Sequence, residues 1–402
     1  MKRLPKSLSL EAFRAAWKES RDSKSGTAAG APGVDRVRAN AFGSDLDNQI
    51  ANIRIALQQG NYRFNRLRFA PIQKPSGDYR IIAIPTVRDR LLQRTLLRHL
   101  EADRRFNPNS QIAYGFIKGR KLADAQRRAR ELREANPWVL QADIVKFFDR
   151  INRSDLEKLI HKRVRGKTIT TLLSAAIRCE IEDVGGKGAE LIRESGIIAG
   201  KGLRQGMPIS PMLSNLLLKR FDTALIKAGL IAIRYADDII IFGKSQDELL
   251  TALSLVIAAL KQEGLHVPAL EENGKTQIRP PQEPVEFLGV EIRRKKHGYE
   301  LVAPIKKISE IEKRMAKMAS LEECVKEKRD ISQILRSLDS LIIGYRGSMS
   351  VLDDPSQFFN RLEAAKRRQV NNLLIRILGE KTFKNLPEAH RAVLGLQPFP
   401  ET

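Results

Sequence analysis

The stretch "AIRYADDIIIF", residues 232–242, constrains this chain more than any other. Two adjacent carboxylates, Asp237 and Asp238, interrupt an otherwise apolar run. Ala232, Ile233 and Tyr235 lead in, and Ile239, Ile240, Ile241 and Phe242 lead out. β-Branched and aromatic residues favour strands, so the pair is expected at the tip of a hairpin. An Asp-Asp pair in a turn is ordinarily solvated. Between two strands that read as buried, the like charges repel, and burial makes the repulsion worse. A cation, usually a divalent metal, is the ordinary way to stabilise such a site. Further carboxylates should then come from elsewhere in the chain.

Asp143 is the candidate. It ends the apolar segment "WVLQAD" and is followed by "IVKFFD". Alone it could be a helix cap or a turn residue, and Asp149, six residues on, reads as structural. A strand-end Asp followed by a helix, with a strand-turn-strand Asp-Asp pair later, suits two metal ions roughly 4 Å apart. Such ions clamp the attacking and leaving oxygens of a phosphoryl transfer.

The 402 residues suffice for two to three domains with a large core, and 42% hydrophobic content is that of a globular chain. A net charge of +24 exceeds what solubility needs and points to a polyanionic partner, nucleic acid first. A membrane surface is the rival, but no apolar run of about 20 residues and no signal peptide is found. Two cysteines, Cys179 and Cys324, cannot build a disulfide framework or a zinc cluster, which fits a reducing cytoplasm. No internal repeat or low-complexity tract stands out.

Along the chain, residues 1–60 read as helical and basic, broken by the Gly-rich "GTAAGAPGVD" (26–35), which lacks the spacing of a phosphate-binding P-loop. Residues 61–86 read as paired strands around "KPSGD", and 87–135 as Arg-rich helix. After the strand ending at Asp143, Ser154 and Glu157 have capping-box spacing. Leu213, Leu216, Leu217, Phe221 and Leu225 give the next helix its apolar face. A helix is expected from Ser245 to near Gly264, and "VEFLGVEI" (285–292) as a further strand-pair element. From Pro304 the pattern is helical and basic, which places a boundary near residue 300.

Taken in order, "ADIVKFFDRI", "GLRQGMPISPMLSNLLL" and "RYADDIIIF" resemble the A, B and C motifs of reverse transcriptases. "QKPSGDYRIIAIPTVRDRLLQ" (73–93) resembles the fingers motif of group II intron and related bacterial enzymes, and "AYGFIKGRKLADA" (113–125) the motif after it. "ENGKTQI" (272–278) resembles motif D and "EFLGVEI" motif E. "GAPGVD" and "SLIIGYRG" (340–347) resemble segments of the group II lineage before the fingers and in the thumb. The likeness covers roughly residues 25–350. It implies an α+β right-hand polymerase with fingers, a palm carrying an antiparallel sheet, and a helical thumb. The expected segments are an N-terminal helical extension (1–60), fingers (61–135), palm (136–300, with a fingers-like insertion about 155–200), and thumb with C-terminal region (301–402).

The resemblance also assigns roles. Asp143, Ile144, Asp237 and Asp238 would surround two Mg²⁺ ions, with Mn²⁺ as the alternative, Asp143 and Asp237 being the main ligands. Lys74 and Arg80 would grip the triphosphate of the incoming deoxynucleotide; otherwise they belong to a solvated basic hairpin. Gln205 and Gly206 would pack against nucleotide and template. Lys275 would protonate the leaving pyrophosphate, or is a surface lysine. Phe148, five residues after Asp143, would lie beneath the sugar, or is core packing. Lys306, Lys307, Lys313, Arg314 and Lys317 would follow a duplex through its phosphates, or form a solvated face. The chain stops at Thr402 without the Cys-rich endonuclease region common in group II intron proteins, and no Val-Thr-Gly segment of the retron type follows "EFLGVEI". It is therefore expected to be a stand-alone bacterial reverse transcriptase, cytoplasmic, copying a structured noncoding RNA into DNA in anti-phage defence. Its oligomeric state is left open. The competing expectations are an intron maturase and an RNA-binding protein with a decayed site.

Overall fold

The structure, a computed structural model, describes residues 3–22, 31–74, 77–103, 106, 110–272, 274–387 and 390. Half of the Gly-rich stretch (26–30) and two residues of the "KPSGD" turn (75 and 76) lie outside the described residues, as does residue 273 of "ENGKTQI". The chain forms two compact units, each discontinuous in sequence. One comprises Met1–Gly119, Leu140–Ile241 and Asp247–Ile278; the other comprises Arg120–Val139, Phe242–Gln246 and Arg279–Thr402.

In the first unit, β1 (Arg68–Gln73) and β2 (Tyr79–Ile84) pair antiparallel, from Arg68↔Ile84 to Gln73↔Tyr79. Leu67, Ile81, Ala83, Cys179, Ile181, Leu191 and Met207 form the apolar cluster beneath this hairpin. The "GAPGVD" segment docks beside it. Arg68 Nε donates to the Pro32 carbonyl at 2.7 Å and Arg90 Nη2 to that of Ala31 at 2.7 Å. Gly33 must be glycine because a Cβ there would stand 2.5 Å from Thr86 Cα. Thr86 in turn starts the helix Val87–Ala102, its hydroxyl accepting from the Asp89 amide at 3.1 Å.

The expected continuous helix over 87–135 is instead two, Val87–Ala102 and Leu122–Ala135. Residues 112–114 leave the helical pattern because their backbone finds partners elsewhere. The Arg234 amide donates to the Ile112 carbonyl at 2.7 Å, and the Tyr114 amide to that of Arg234 at 2.8 Å. A second correction concerns the helix Arg153–Arg163. Its cap is Asn152, whose side chain accepts from the amides of Ser154 and Asp155, not Ser154.

Strands β3 (Trp138–Asp143), β4 (Ile231–Tyr235), β5 (Asp238–Gly243) and β6 (Gln277–Arg279) form a four-stranded sheet in the order β4-β5-β3-β6. Ile239 to Phe242 are each at most 2% exposed, so β5 is covered on both faces, as its unbroken apolar run predicts. The helix Ser210–Lys227 buries Leu213, Leu216, Leu217, Phe221 and Leu225, the face expected of it.

In the second unit, β7 (Val285–Phe287), β8 (Val290–Arg294) and β9 (Tyr299–Val302) form an antiparallel meander. The helix Leu122–Ala135 ties it down through Arg133, which is fully buried. Arg133 donates to the carbonyls of Ile292 (2.8 Å) and Glu283 (2.6 Å) and stacks on the Tyr299 ring at 4.5 Å. The helices Ile305–Met318, Leu321–Lys326, Ile331–Met349 and Pro355–Leu378 make up the rest, as the pattern after Pro304 predicts. Among the described residues no helix is long and apolar enough to cross a membrane.

Candidate active site

Asp143 closes β3, and its neighbour in the sheet, β5, begins at Asp238. The hairpin turn between β4 and β5 is therefore only Ala236 and Asp237, and the Ile144 amide donates to the Asp237 carbonyl at 3.1 Å. Adjacent strands thus bring together carboxylates 94 to 95 positions apart in sequence. Lys275 Nζ donates to Asp143 Oδ2 at 2.5 Å. Of the candidate residues, Asp143, Asp237, Asp238 and Lys275 form one cluster.

The cluster is electrostatically crowded. Burial and the Asp143 charge, with the shared hydrogen bond between them, raise the affinity of Asp237 for its proton. Solvent reaches Asp238, yet desolvation and the charges of Asp237 and Asp143 push it up to about 7. Lys275 is raised in the opposite sense, first by its hydrogen bond to Asp143. Asp237 and Asp238 hold their protons more tightly than ordinary carboxylates, and an ammonium is bonded to Asp143 beside them, which describes a place built for positive charge. The Lys275 ammonium stands there as a cation would. Among the described residues, no three His, Cys, Asp or Glu side chains are gathered tightly enough to hold one ion as they stand. The hard oxygens of Asp143 and Asp237 still fit Mg²⁺ chemistry, because that ion is commonly held by one or two carboxylates plus substrate phosphates.

What fixes the turn is a network the sequence argument did not single out. Ala236 adopts φ +58°, which costs an L-residue energy. Arg234, 0% exposed, holds it. Its Nε and Nη2 each donate to Asp222 at 2.6 Å, and its Nη1 donates to Asn215 Oδ1 and to the Ala236 carbonyl, both at 3.0 Å. Asn215 Nδ2 donates onward to the Gly115 carbonyl at 2.8 Å. A Cβ at Gly115 would stand 2.6 Å from the Ala236 amide, so "AYGF" presses directly on the turn. An arginine inside the apolar "AIRY" and an aspartate inside "LLLKRFDTALI" were the available signals.

The loop before Ser210 is anchored the same way. The Gln205 carbonyl accepts from the Ala83 amide on β2 at 2.7 Å. Gly206 has φ +110°, and a Cβ there would stand 2.7 Å from the Ala83 carbonyl oxygen. Arg204, 1% exposed, pairs with Glu180 at 2.5 Å, and Glu180 also receives Arg153 at 2.6 Å. Gln205 and Gly206 thus sit against the β1–β2 hairpin.

Arg80 is exposed on β2, and its charge favours the ionised form of Asp237. Lys74, also exposed, exerts its charge on Asp149. Asp149 itself is raised by burial, against the pull of Arg204, Lys146, Lys74 and Arg150. Phe148 is half-buried, its ring 5.2 Å from that of the buried Phe147. Lys306, Lys313, Arg314 and Lys317 are exposed on their helix in the second unit. Lys307 departs from the expectation. It is half-buried, its Nζ donates to the Gly289 carbonyl at 3.0 Å and lies 5.9 Å from the Tyr345 ring, so its charge is engaged within the protein.

Comparison with known proteins agrees with this geometry. Escherichia coli K12 protein YkfC is 31% identical over 199 residues, which are 48% of this chain and 50% of YkfC. The Escherichia coli retron Ec83 reverse transcriptase is 25% identical over 44% of this chain and 53% of its own. The putative COX1/OXI3 intron 1 protein of Saccharomyces cerevisiae is 25% identical over 44% of this chain and 20% of its own. The chain spans about half the length of YkfC and of the retron enzyme, and a fifth of the intron protein. Apo telomerase from Candida tropicalis has a TM-score of 0.42 at 12% identity, over 88% of this chain and 72% of its own, too distant to carry an argument. The family match is broader. Residues 72–292, more than half of the chain and the whole of the carboxylate cluster, fit the reverse transcriptase (RNA-dependent DNA polymerase) model, and the chain belongs to that family, with its α+β right-hand polymerase fold.

Proposed function

We propose that the chain is an RNA-directed DNA polymerase that adds deoxynucleotides to a primer by phosphoryl transfer, copying a dedicated structured noncoding RNA in bacterial anti-phage defence. The observation that carries the chemistry is the convergence of Asp143 and Asp237 on adjacent strands, with Lys275 Nζ 2.5 Å from Asp143. Asp143 and Asp237 would hold two Mg²⁺ ions with the Ile144 carbonyl and Asp238 beside them, and bound there the metal would neutralise charge on the attacking and leaving oxygens. Arg80 and Lys74, both exposed, would pair with triphosphate oxygens. Lys275 carries the proton that the leaving pyrophosphate would take. Gln205 and Gly206 line the nucleotide's other side.

Primer extension on an RNA template with Mg²⁺ tests this. Asp237→Asn withdraws a ligand charge and should lower incorporation by two or more orders of magnitude while the melting temperature holds; full activity in that variant would overturn the assignment. The defence role rests on the resemblance to stand-alone bacterial reverse transcriptases. A strain carrying the locus should resist some phage, and the Asp237→Asn locus should not. The similarity to an intron protein supports a second reading, a maturase that aids splicing of its own intron. Sequencing the RNA that co-purifies with the chain separates the two, since a folded intron as sole partner would favour the maturase. Loss of catalysis with retained RNA binding is disfavoured by the intact Asp143, Asp237 and Asp238.

A further inference from the structure

The helices Arg153–Arg163 and Ser210–Lys227 face each other across a cleft of about 460 Å³, apart from the carboxylate cluster. Lys162 and Arg163 line one wall, Lys219, Arg220 and Lys227 the other, and Leu216 lies between them. Among the described residues that line it, none is acidic. Arg220 Nε lies 3.5 Å from Glu263.

Helix-dipole effects explain part of this. Lys162, Arg163 and Lys227 occupy last turns, where cations are favoured. Lys219 and Arg220 lie about two turns from their helix end and gain nothing from it. Burial and then the charge of Arg163 lower the proton affinity of Lys219, so the two walls repel across the cleft. Lys219, Thr223 and Lys227 are spaced four residues apart, about 6 Å per step along one helix face, a repeat that suits successive groups on a polyanion. An apolar floor between two basic walls admits a sugar-phosphate backbone more readily than an acidic side chain.

We propose that this cleft is a second RNA-binding site, which takes the phosphate backbone of a folded RNA remote from the site of synthesis. The identity of the ligand as RNA rests on the proposed polymerase function; the anion site itself does not. It gives the enzyme a way to retain its own RNA while the template strand moves.

The test uses the full chain, the variant Lys219→Glu/Lys227→Glu, and three readouts. Total tRNA serves as the folded RNA, a duplex DNA of similar length as control, and an oligo(dT)-primed poly(rA) as the short substrate. The variant should bind tRNA at least tenfold more weakly, with a salt slope flatter by about 0.7 per lost contact, while extending oligo(dT) at the wild-type rate. Melting curves establish that it folds, and Lys219→Arg/Lys227→Arg should restore tRNA binding. Unchanged tRNA affinity and slope would overturn the site. An equal loss for duplex DNA would overturn its assignment to RNA. Wild-type protein that extends no primer yet loses tRNA binding on charge reversal would refute the polymerase and leave the cleft standing.

Discussion

At the scale of single residues, two side chains carry the sharpest consequences. Phe148 is half-buried, five residues beyond Asp143. Under the proposed function a ring beneath the sugar would leave no room for a 2′-hydroxyl, the group that separates RNA from DNA building blocks. Phe148→Ala should therefore admit ribonucleotides while deoxynucleotide use falls less. Simple loss of packing would instead cost about 3–5 kcal/mol and lower both activities together. Parallel ribonucleotide and deoxynucleotide incorporation, with a melting curve, distinguishes these. Asp238 titrates at about 7 in the folded chain against 3.8 for an ordinary Asp. The native state then holds a proton that the unfolded chain releases, so this group's effect on stability worsens as pH rises from about 4 to 7. Asn mimics the protonated form. In EDTA, Asp238→Asn should melt close to wild type at pH 4 and above it at pH 8. Identical shifts at both would mean that Asp238 is not strained.

At the scale of elements, the β4–β5 hairpin is held by one guanidinium. Arg234 and Asp222 are each 0% exposed, so removing either leaves an unpaired charge in the core. Arg234→Met should cost about 3–5 kcal/mol. The double variant Arg234→Met/Asp222→Leu should recover much of that stability, because an apolar pair of similar volume often replaces a buried ion pair without loss. Its activity should stay low, since the Ala236 carbonyl has lost the donor that fixes its left-handed conformation. Chemical denaturation and primer extension on the same two proteins measure this; recovered activity would make the network merely structural. The loop from Gly202 to Gly206 depends on a similar device, in which Arg204 and Arg153 share Glu180.

At the scale of the whole molecule, the charge of +24 is the dominant fact. It predicts tight nucleic-acid binding that weakens steeply with salt. Lys306, Lys313 and Lys317 recur at seven and four residues, share one face of the helix Ile305–Met318, and are exposed. Reversing all three to Glu should weaken primer–template binding and flatten its salt slope by about two. Lys307→Ala should leave the slope nearly unchanged and lower stability, because its ammonium serves Gly289 and Tyr345 instead. A salt titration of binding, run on both variants, checks the assignment. An unaltered slope in the triple variant would move the nucleic-acid path to another surface.

Much of this was determined by sequence alone. Strand-forming runs around Asp143 and around Asp237 and Asp238 could hardly be anything but strands, and they set the three carboxylates at or beside strand ends. Periodicity likewise fixed the apolar face of the helix Ser210–Lys227, because a 3.6-residue repeat is local. Tertiary structure decided whatever depends on partners distant in the chain. It broke the helix expected over 87–135, because residues 112–114 found the backbone of Arg234. It withdrew Lys307 from solvent, because the Gly289 carbonyl lies within reach. It joined Lys275 to Asp143 across 132 positions, and turned Arg234, Asp222 and Asn215 from unremarkable polar residues into the support of the Ala236–Asp237 turn. A charge inside an apolar segment announces that it has a partner, but only the folded chain names that partner, since pairing is set by distance in space and not along the sequence.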